Sequence, residues 1–153
     1  MRKRLLAEMV VPGVDWAVPV VRHCVGRTLT AAGHQNVEIA QLVVSELVSN
    51  AFLHSRSARP GGVIVVELTE ISDKLARVEV MDEGAGTIPH PRMTTDNACH
   101  GRGLWLVQQT AARWGVYRDT LGGNVVWAEC ATTDDAIAAT PIRAPRGCSQ
   151  SSQ

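Results

Sequence analysis

The sequence predicts an α/β protein. Three observations predict it: two helical periods between residues 15 and 54, two runs of alternating apolar residues between 63 and 82, and a glycine-led helix followed by a hairpin between 101 and 131. A chain of 153 residues can close one hydrophobic core without disulfides or a structural metal. One domain over residues 1–139 is expected. From Thr140 onward the segment PIRAPRGCSQSSQ is poor in apolar side chains, so residues 140–153 are read as a disordered tail.

The elements follow in chain order. LLAEMVV forms a short first strand, and Pro12-Gly13 turns the chain. Asp15 is placed to cap a helix through WAVPVVRHCVGRTLTAAG, with Pro19 near its first turn and Gly33 just past its end. A second helix begins near Asn36, carries Glu38 in its first turn and runs to about His54. On it Glu38, Gln41, Ser45 and Ser49 make a solvent stripe, and Ala40, Val43, Leu47 and Ala51 an apolar one. Glu46, Asn50 and His54 advance only about 40° per step and so share an arc bordering the apolar stripe.

After the breaker run SRSARPGG come the strands VIVVELTE and LARVEVMD, joined through ISDK. Alternation places Ala76, Val78, Val80 and Asp82 on one face, and Arg77, Glu79 and Met81 on the other. Asp82 thus extends an inward apolar row, where a carboxylate is costly unless something binds it. DEGAG follows, then TIPHPRMTTDNACHG, a loop without a regular period, of a length that often moves over a site. GRGLWLVQQTAARWG reads as a glycine turn feeding a helix, with Leu104, Val107 and Ala111 spaced for burial and Gly115 as its stop. VYRDT, LGGN and VVWAEC then suggest a hairpin that completes the sheet.

Composition narrows the function classes. Fifteen basic residues balance fifteen acidic ones, with five histidines besides, so no global field favours nucleic acid or an anionic membrane. In MRKRLLAEMVVPG, Glu8 and Pro12 interrupt an apolar run too short for a signal peptide or a membrane span, and a cytoplasmic protein is expected. Cys24, Cys99, Cys130 and Cys148 lie far apart with no CxxC pair, which suits reduced thiols. Cys99 and His100, with His90 nearby, are scattered loop donors of a kind that seldom makes a metal site.

Taken singly, the polar residues have ordinary readings. Glu46 can be a solvated helix residue, Asn50 a tolerated polar group at a boundary, and His54 a partner for the helix dipole. DEGAG can be a turn after a strand, and GRG a helix start. Their order is more specific: a helix with Glu46 and Asn50, a strand ending in Asp82, then Gly84 and Gly86, a loop, and Gly101 and Gly103 opening a helix. This arrangement resembles the GHKL superfamily of ATP-binding proteins, whose N, G1 and G2 boxes correspond to ELVSN, DEGAG and GRGL over roughly residues 35 to 130. The compact size, the NAFLH continuation and the short loop look most like the bacterial anti-sigma factor serine kinases. The histidine kinases of the superfamily need an upstream helical hairpin with a phospho-accepting histidine, for which this chain has no room.

The resemblance implies a two-layer α/β sandwich, a mixed and mostly antiparallel sheet with helices on one face, holding ATP and Mg²⁺. By likeness, Asp82 accepts a hydrogen bond from the adenine amine, and Gly84 and Gly86 let the backbone approach the base. Asn50 supplies an amide oxygen to Mg²⁺. Gly101, Arg102, Gly103 and Leu104 cradle phosphates at a helix N-terminus. Glu46 is the general base toward an incoming hydroxyl, or positions water or Mg²⁺. His54 matches a histidine of the related kinases, in a supporting role or as an ordinary helix-end residue. Relatives often place a Thr after the last glycine turn, where this chain offers Asn124, which also carries donors and acceptors.

The implied activity is an ATP-dependent serine kinase that sequesters a sigma factor and phosphorylates a STAS-type anti-anti-sigma protein. The alternative is a non-catalytic ATP-binding regulatory module. Homodimers are common among the related kinases, and the first strand and helix, with Arg22 and Arg27, are the candidate contact surface. No direct contact with nucleic acid or membrane is implied.

Overall fold

In a computed structural model, residues 2–54, 56–84 and 103–134 are described. They form strands β1 (Arg4–Pro12), β2 (Val63–Ser72), β3 (Leu75–Met81), β4 (Arg113–Arg118) and β5 (Asn124–Ala131), and helices α1 (Ala17–Ala31), α2 (Glu38–His54) and α3 (Gly103–Thr110). A single 3-10 turn, Arg56–Ala58, follows α2. The strands lie in the order β1-β2-β3-β5-β4, and all four pairings are antiparallel. The expected α/β architecture is observed. Among the described residues the sheet contains no parallel pairing.

Each helix end has a local cause. The expected Asp15 cap does not form: Trp16 occupies the N-cap with helical dihedrals and no side-chain bond. Instead the amides of Ala17 and Val18 reach back to the carbonyls of Val14 and Asp15, a tight turn that satisfies them without a carboxylate. At the other end the Gly33 amide donates to Thr30 and the His34 amide to Leu29, with Gly33 at φ +94°. That pair of bonds is a Schellman stop, and the positive φ explains the glycine. Asn36 does open α2, its side-chain oxygen accepting the Glu38 amide at 3.1 Å.

The core lies between the helices and one face of the sheet. Val21, Val25 and Leu29 of α1 and Ala40, Val43, Val44, Leu47 and Val48 of α2 meet Ile64, Val66, Leu68, Ala76, Val78, Val80, Ala128 and Cys130. Helix α2 is the central one, touching α1, α3, β3 and β5. Hence its expected solvent stripe is incomplete. Ser45 is buried and donates to the Gln41 carbonyl at 2.7 Å, because α2 has neighbours on both flanks.

Helix α3 is shorter than its pattern implied, ending at Thr110, and Gly115 is not its stop but an interior residue of β4. Ala111 makes the last helical contact, to Val107, and the Ala112 amide already joins the sheet at Glu129. Trp114 and Val116 pack against the core and draw the chain into the strand. The glycine is required by the facing strand: a Cβ at residue 115 would stand 2.8 Å from the Trp127 indole nitrogen.

The sheet end remote from Asp82 is closed by a polar cluster. Buried His34 bonds the Thr132 hydroxyl through Nδ1 at 2.6 Å and Glu70 through Nε2 at 3.0 Å, and Glu70 also pairs with Arg4. Cys24 and Cys130 are free thiols, and burial pushes the Cys130 thiol up to about 12. The other two cysteines, His90, His100 and the tail 140–153 lie outside the described residues. Among the described residues no three metal-donor side chains cluster, and no helix is long and apolar enough to cross a membrane.

Candidate functional site

Helix α2 presents Glu46 and Asn50 one turn apart, both half-buried. The helix has no freedom to rotate them away, since Val43, Leu47 and Ala51 hold its other side in the core. Partial burial raises the Glu46 carboxyl above the usual range by desolvation. Its Oε2 lies where α3 begins: a Cβ on Gly103 would stand 3.0 Å from it. A glycine there lets the first turn of α3, whose amides have no partner within the helix, come up to the carboxylate. Leu104 then turns inward and is buried. His54 ends α2, its side chain outside the described residues, as are Gly86, Gly101 and Arg102.

The second half of the site grows from β3. Ala76, Val78 and Val80 are buried, and the same alternation carries Asp82 inward to 9% exposure. Its Oδ1 accepts the amide of Gly84 at 2.6 Å and that of Asn124 at 3.4 Å. Desolvation raises the Asp82 carboxyl, the two amides pull it back, and Asp119 and Glu83 add to the rise. Both amide bonds fall on Oδ1, which leaves Oδ2 as the oxygen to offer a ligand donor. A carboxylate in this setting selects for an N–H or O–H group brought from outside.

Two turns interlock around it. Gly84 has φ +78°, and a Cβ there would come within 2.5 Å of the Gly122 carbonyl oxygen. Gly123 passes so close to the Asp82 carbonyl that a Cβ would overlap it. The Asp82 amide donates to the Asn124 carbonyl at 2.9 Å. Asp119 shapes the opposing turn, its Oδ1 accepting the amides of Leu121 and Gly123. Asn124 is buried, on the same side of β5 as Val126, Ala128 and Cys130, so its side chain shares the helix-facing side with Asp82. Behind the turn, the Glu83 amide donates to the buried Ser57 hydroxyl at 3.0 Å.

The fold therefore sets Glu46 of α2 against Gly103 at the start of α3, and Asp82 at the β3 end against Gly84 and Asn124, while Asn50 lies one turn past Glu46 on α2 and Leu104 is buried in the first turn of α3. Sequence reasoning missed three supports: Ser57, Asp119 and the Gly122-Gly123 pair. The run DTLGGN carried a readable signal, an Asp three and four residues ahead of two glycines, which is an Asx-turn pattern. Ser57 carried none, because its partner is 26 residues away. Chemically, the site offers an anion-favouring helix start, an amide oxygen, a carboxylate that can take a proton, and a buried carboxylate that accepts a hydrogen bond.

A family model described as a histidine kinase-like ATPase domain matches residues 14–130. No curated protein matches the chain.

Proposed function

The chain belongs to the histidine kinase-like ATPase domain family, and on that footing we propose that it is an ATP-dependent serine kinase of the anti-sigma factor type. In this reading it sequesters a sigma factor and phosphorylates a serine on a STAS-type anti-anti-sigma protein, working as a homodimer in the cytoplasm. Membership of the family carries ATP binding, and the finer activity is our proposal. One observation supports it above the rest: Glu46 is half-buried, desolvated and set directly against the first residue of α3.

The residues divide the work by position. Asp82 accepts the exocyclic amine of adenine, a donor that guanine does not offer at that place, so the turn reads the base. The α3 amides face the phosphates, where the helix N-terminus favours negative charge. Asn50 Oδ1 is the side-chain oxygen available to Mg²⁺. When bound, Mg²⁺ neutralises phosphate charge. Glu46 takes the proton of the serine hydroxyl as its oxygen bonds the γ-phosphorus and the bond to the departing ADP oxygen breaks. The raised pKa of Glu46 makes its carboxylate a stronger proton acceptor than an exposed Glu.

The test has two steps. Calorimetric titration with ATP and GTP in Mg²⁺ should show selective ATP binding. Incubation with a cognate STAS protein should then yield phosphoserine, and Glu46→Gln should lower the rate by about 10²-fold or more while ATP still binds. Phosphotransfer that survives Glu46→Gln would reject its role as base. ATP-dependent partner binding with no phosphoserine would instead establish the non-catalytic regulatory module.

A further inference from the structure

Ser57 is fully buried in the 3-10 turn that follows α2, and its hydroxyl oxygen accepts the Glu83 amide at 3.0 Å. Its backbone is equally confined. A Cβ on Gly13 or on Gly62 would overlap the Ser57 carbonyl oxygen, and those two glycines are themselves joined by a bond from the Gly13 amide to the Gly62 carbonyl at 3.2 Å. The chain just after β1 and just before β2 thus closes around the Ser57 backbone and confines the position from which its hydroxyl meets the Glu83 amide.

The consequence lies at Asp82. The Gly84 amide is the closest donor to Asp82 Oδ1, and its position depends on the two peptide planes between residues 82 and 84. One side of that short turn is held by the Gly122-Gly123 turn through close backbone approach. The other side is held by Ser57. If the Glu83 amide swings, the Gly84 amide swings with it, and the carboxylate loses its orientation. Because Ser57 lies in the 3-10 turn Arg56–Ala58, which packs against α2, the bond to Glu83 also links the Asp82 turn to the helix that carries Glu46 and Asn50.

We propose that Ser57 is a positioning residue for nucleotide recognition, setting the Asp82 carboxylate in register with the Asn50 end of the site. The inference rests on the nucleotide reading above. Pre-organisation of this kind acts on affinity through the orientation of a group already present, so its loss should be visible only while Asp82 is there to be oriented.

The full chain is titrated with ATP and with adenosine as wild type, Ser57→Ala, Asp82→Asn and the double variant. Ser57→Ala should weaken both ligands by the same factor, roughly tenfold, because the effect falls on the base rather than the phosphates. In the Asp82→Asn background the Ser57→Ala change should cost less than about twofold. Unchanged affinity in folded Ser57→Ala overturns the proposal, as does a full, additive loss in the double variant, the mark of a merely structural role. Amide exchange of Glu83 in the wild type reads the same bond even if Ser57→Ala does not fold. Protection supports the proposal, and exchange at the free-peptide rate overturns it. Wild-type protein that binds no ATP overturns the nucleotide reading and the Ser57 role with it, whereas wild-type binding with Ser57→Ala unaffected removes Ser57 alone.

Discussion

Asp82 concentrates the chemistry of the site in one side chain whose two oxygens do different work. Oδ1 accepts the amides of Gly84 and Asn124, and in the proposed function Oδ2 is the oxygen that meets the adenine amine. In Asp82→Asn the amide oxygen can still receive the two backbone amides, but an NH₂ then opposes the donor of the base. Two donors facing each other in a desolvated site should weaken ATP by about 10- to 100-fold in calorimetry, with the circular dichroism spectrum unchanged. The raised carboxyl of Asp82 adds a pH dependence. A carboxyl with an elevated folded pKa stays protonated to higher pH than usual, and the protonated oxygen is a poorer acceptor. Affinity for adenosine, which has no phosphate to titrate, should therefore fall on acidification, beginning above the ordinary aspartate range. The pH dependence should be absent in Asp82→Asn. For stability the sign is opposite: the raised pKa imposes no penalty below the unfolded value, and its cost appears as pH rises through the folded one.

At the level of elements, α2 and the β4–β5 hairpin set the accuracy of the site. Burial on both flanks locks the rotation of α2, which is why an unremarkable Glu ends up against the start of α3, with Asn50 half-buried one turn further on. The hairpin is locked by a different device, the Trp127 ring lying over a glycine on the neighbouring strand. Gly115→Ala drives a methyl into that ring. The ring is also held from its other neighbours, with the Arg77 guanidinium 4.1 Å from its centroid, so it has little room to yield. Destabilisation of about 1–3 kcal/mol is expected, seen as a lower midpoint in thermal or urea unfolding.

Across the whole molecule the two faces of the sheet are built differently. The inner face is a closed apolar core, whereas the outer face carries rows in register across the strands. One row, Val10, Val65, Met81, Val125 and Tyr117, is apolar from edge to edge. The next opposes Glu8, Glu67 and Glu79 directly. Burial first, then the neighbouring Glu79 and Glu8, raise the Glu67 carboxyl. Glu79 is relieved by Arg77 at 3.1 Å, which leaves Glu67 between two like charges. Its elevated folded pKa means that the penalty is absent below the usual Glu range and grows as pH rises past it. Glu67→Gln should accordingly raise the melting temperature at neutral pH by about 2 °C, a gain of about 0.5 kcal/mol after solvent screening. The gain should shrink as the pH is lowered toward 4.

Local pattern carried much of this protein. The alternation of Ala76, Val78, Val80 and Asp82, the stop at Gly33 and the start at Asn36 are written in neighbouring residues, because each is satisfied by bonds or faces within a few positions. The order of Glu46, Asn50, Asp82 and the glycines likewise points to the nucleotide family without any tertiary contact. Where the local signal was ambiguous, partners distant in sequence decided. Asp15 lost its capping role to a backbone turn, Ser45 was buried by the helices flanking α2, and Gly115 belongs to a strand because Trp127 crosses it. Ser57 and the interlocked turns at Asp82 could emerge only from the fold. Their meaning is a close approach between segments far apart in the chain, and such contacts exist only once the sheet and α2 have packed.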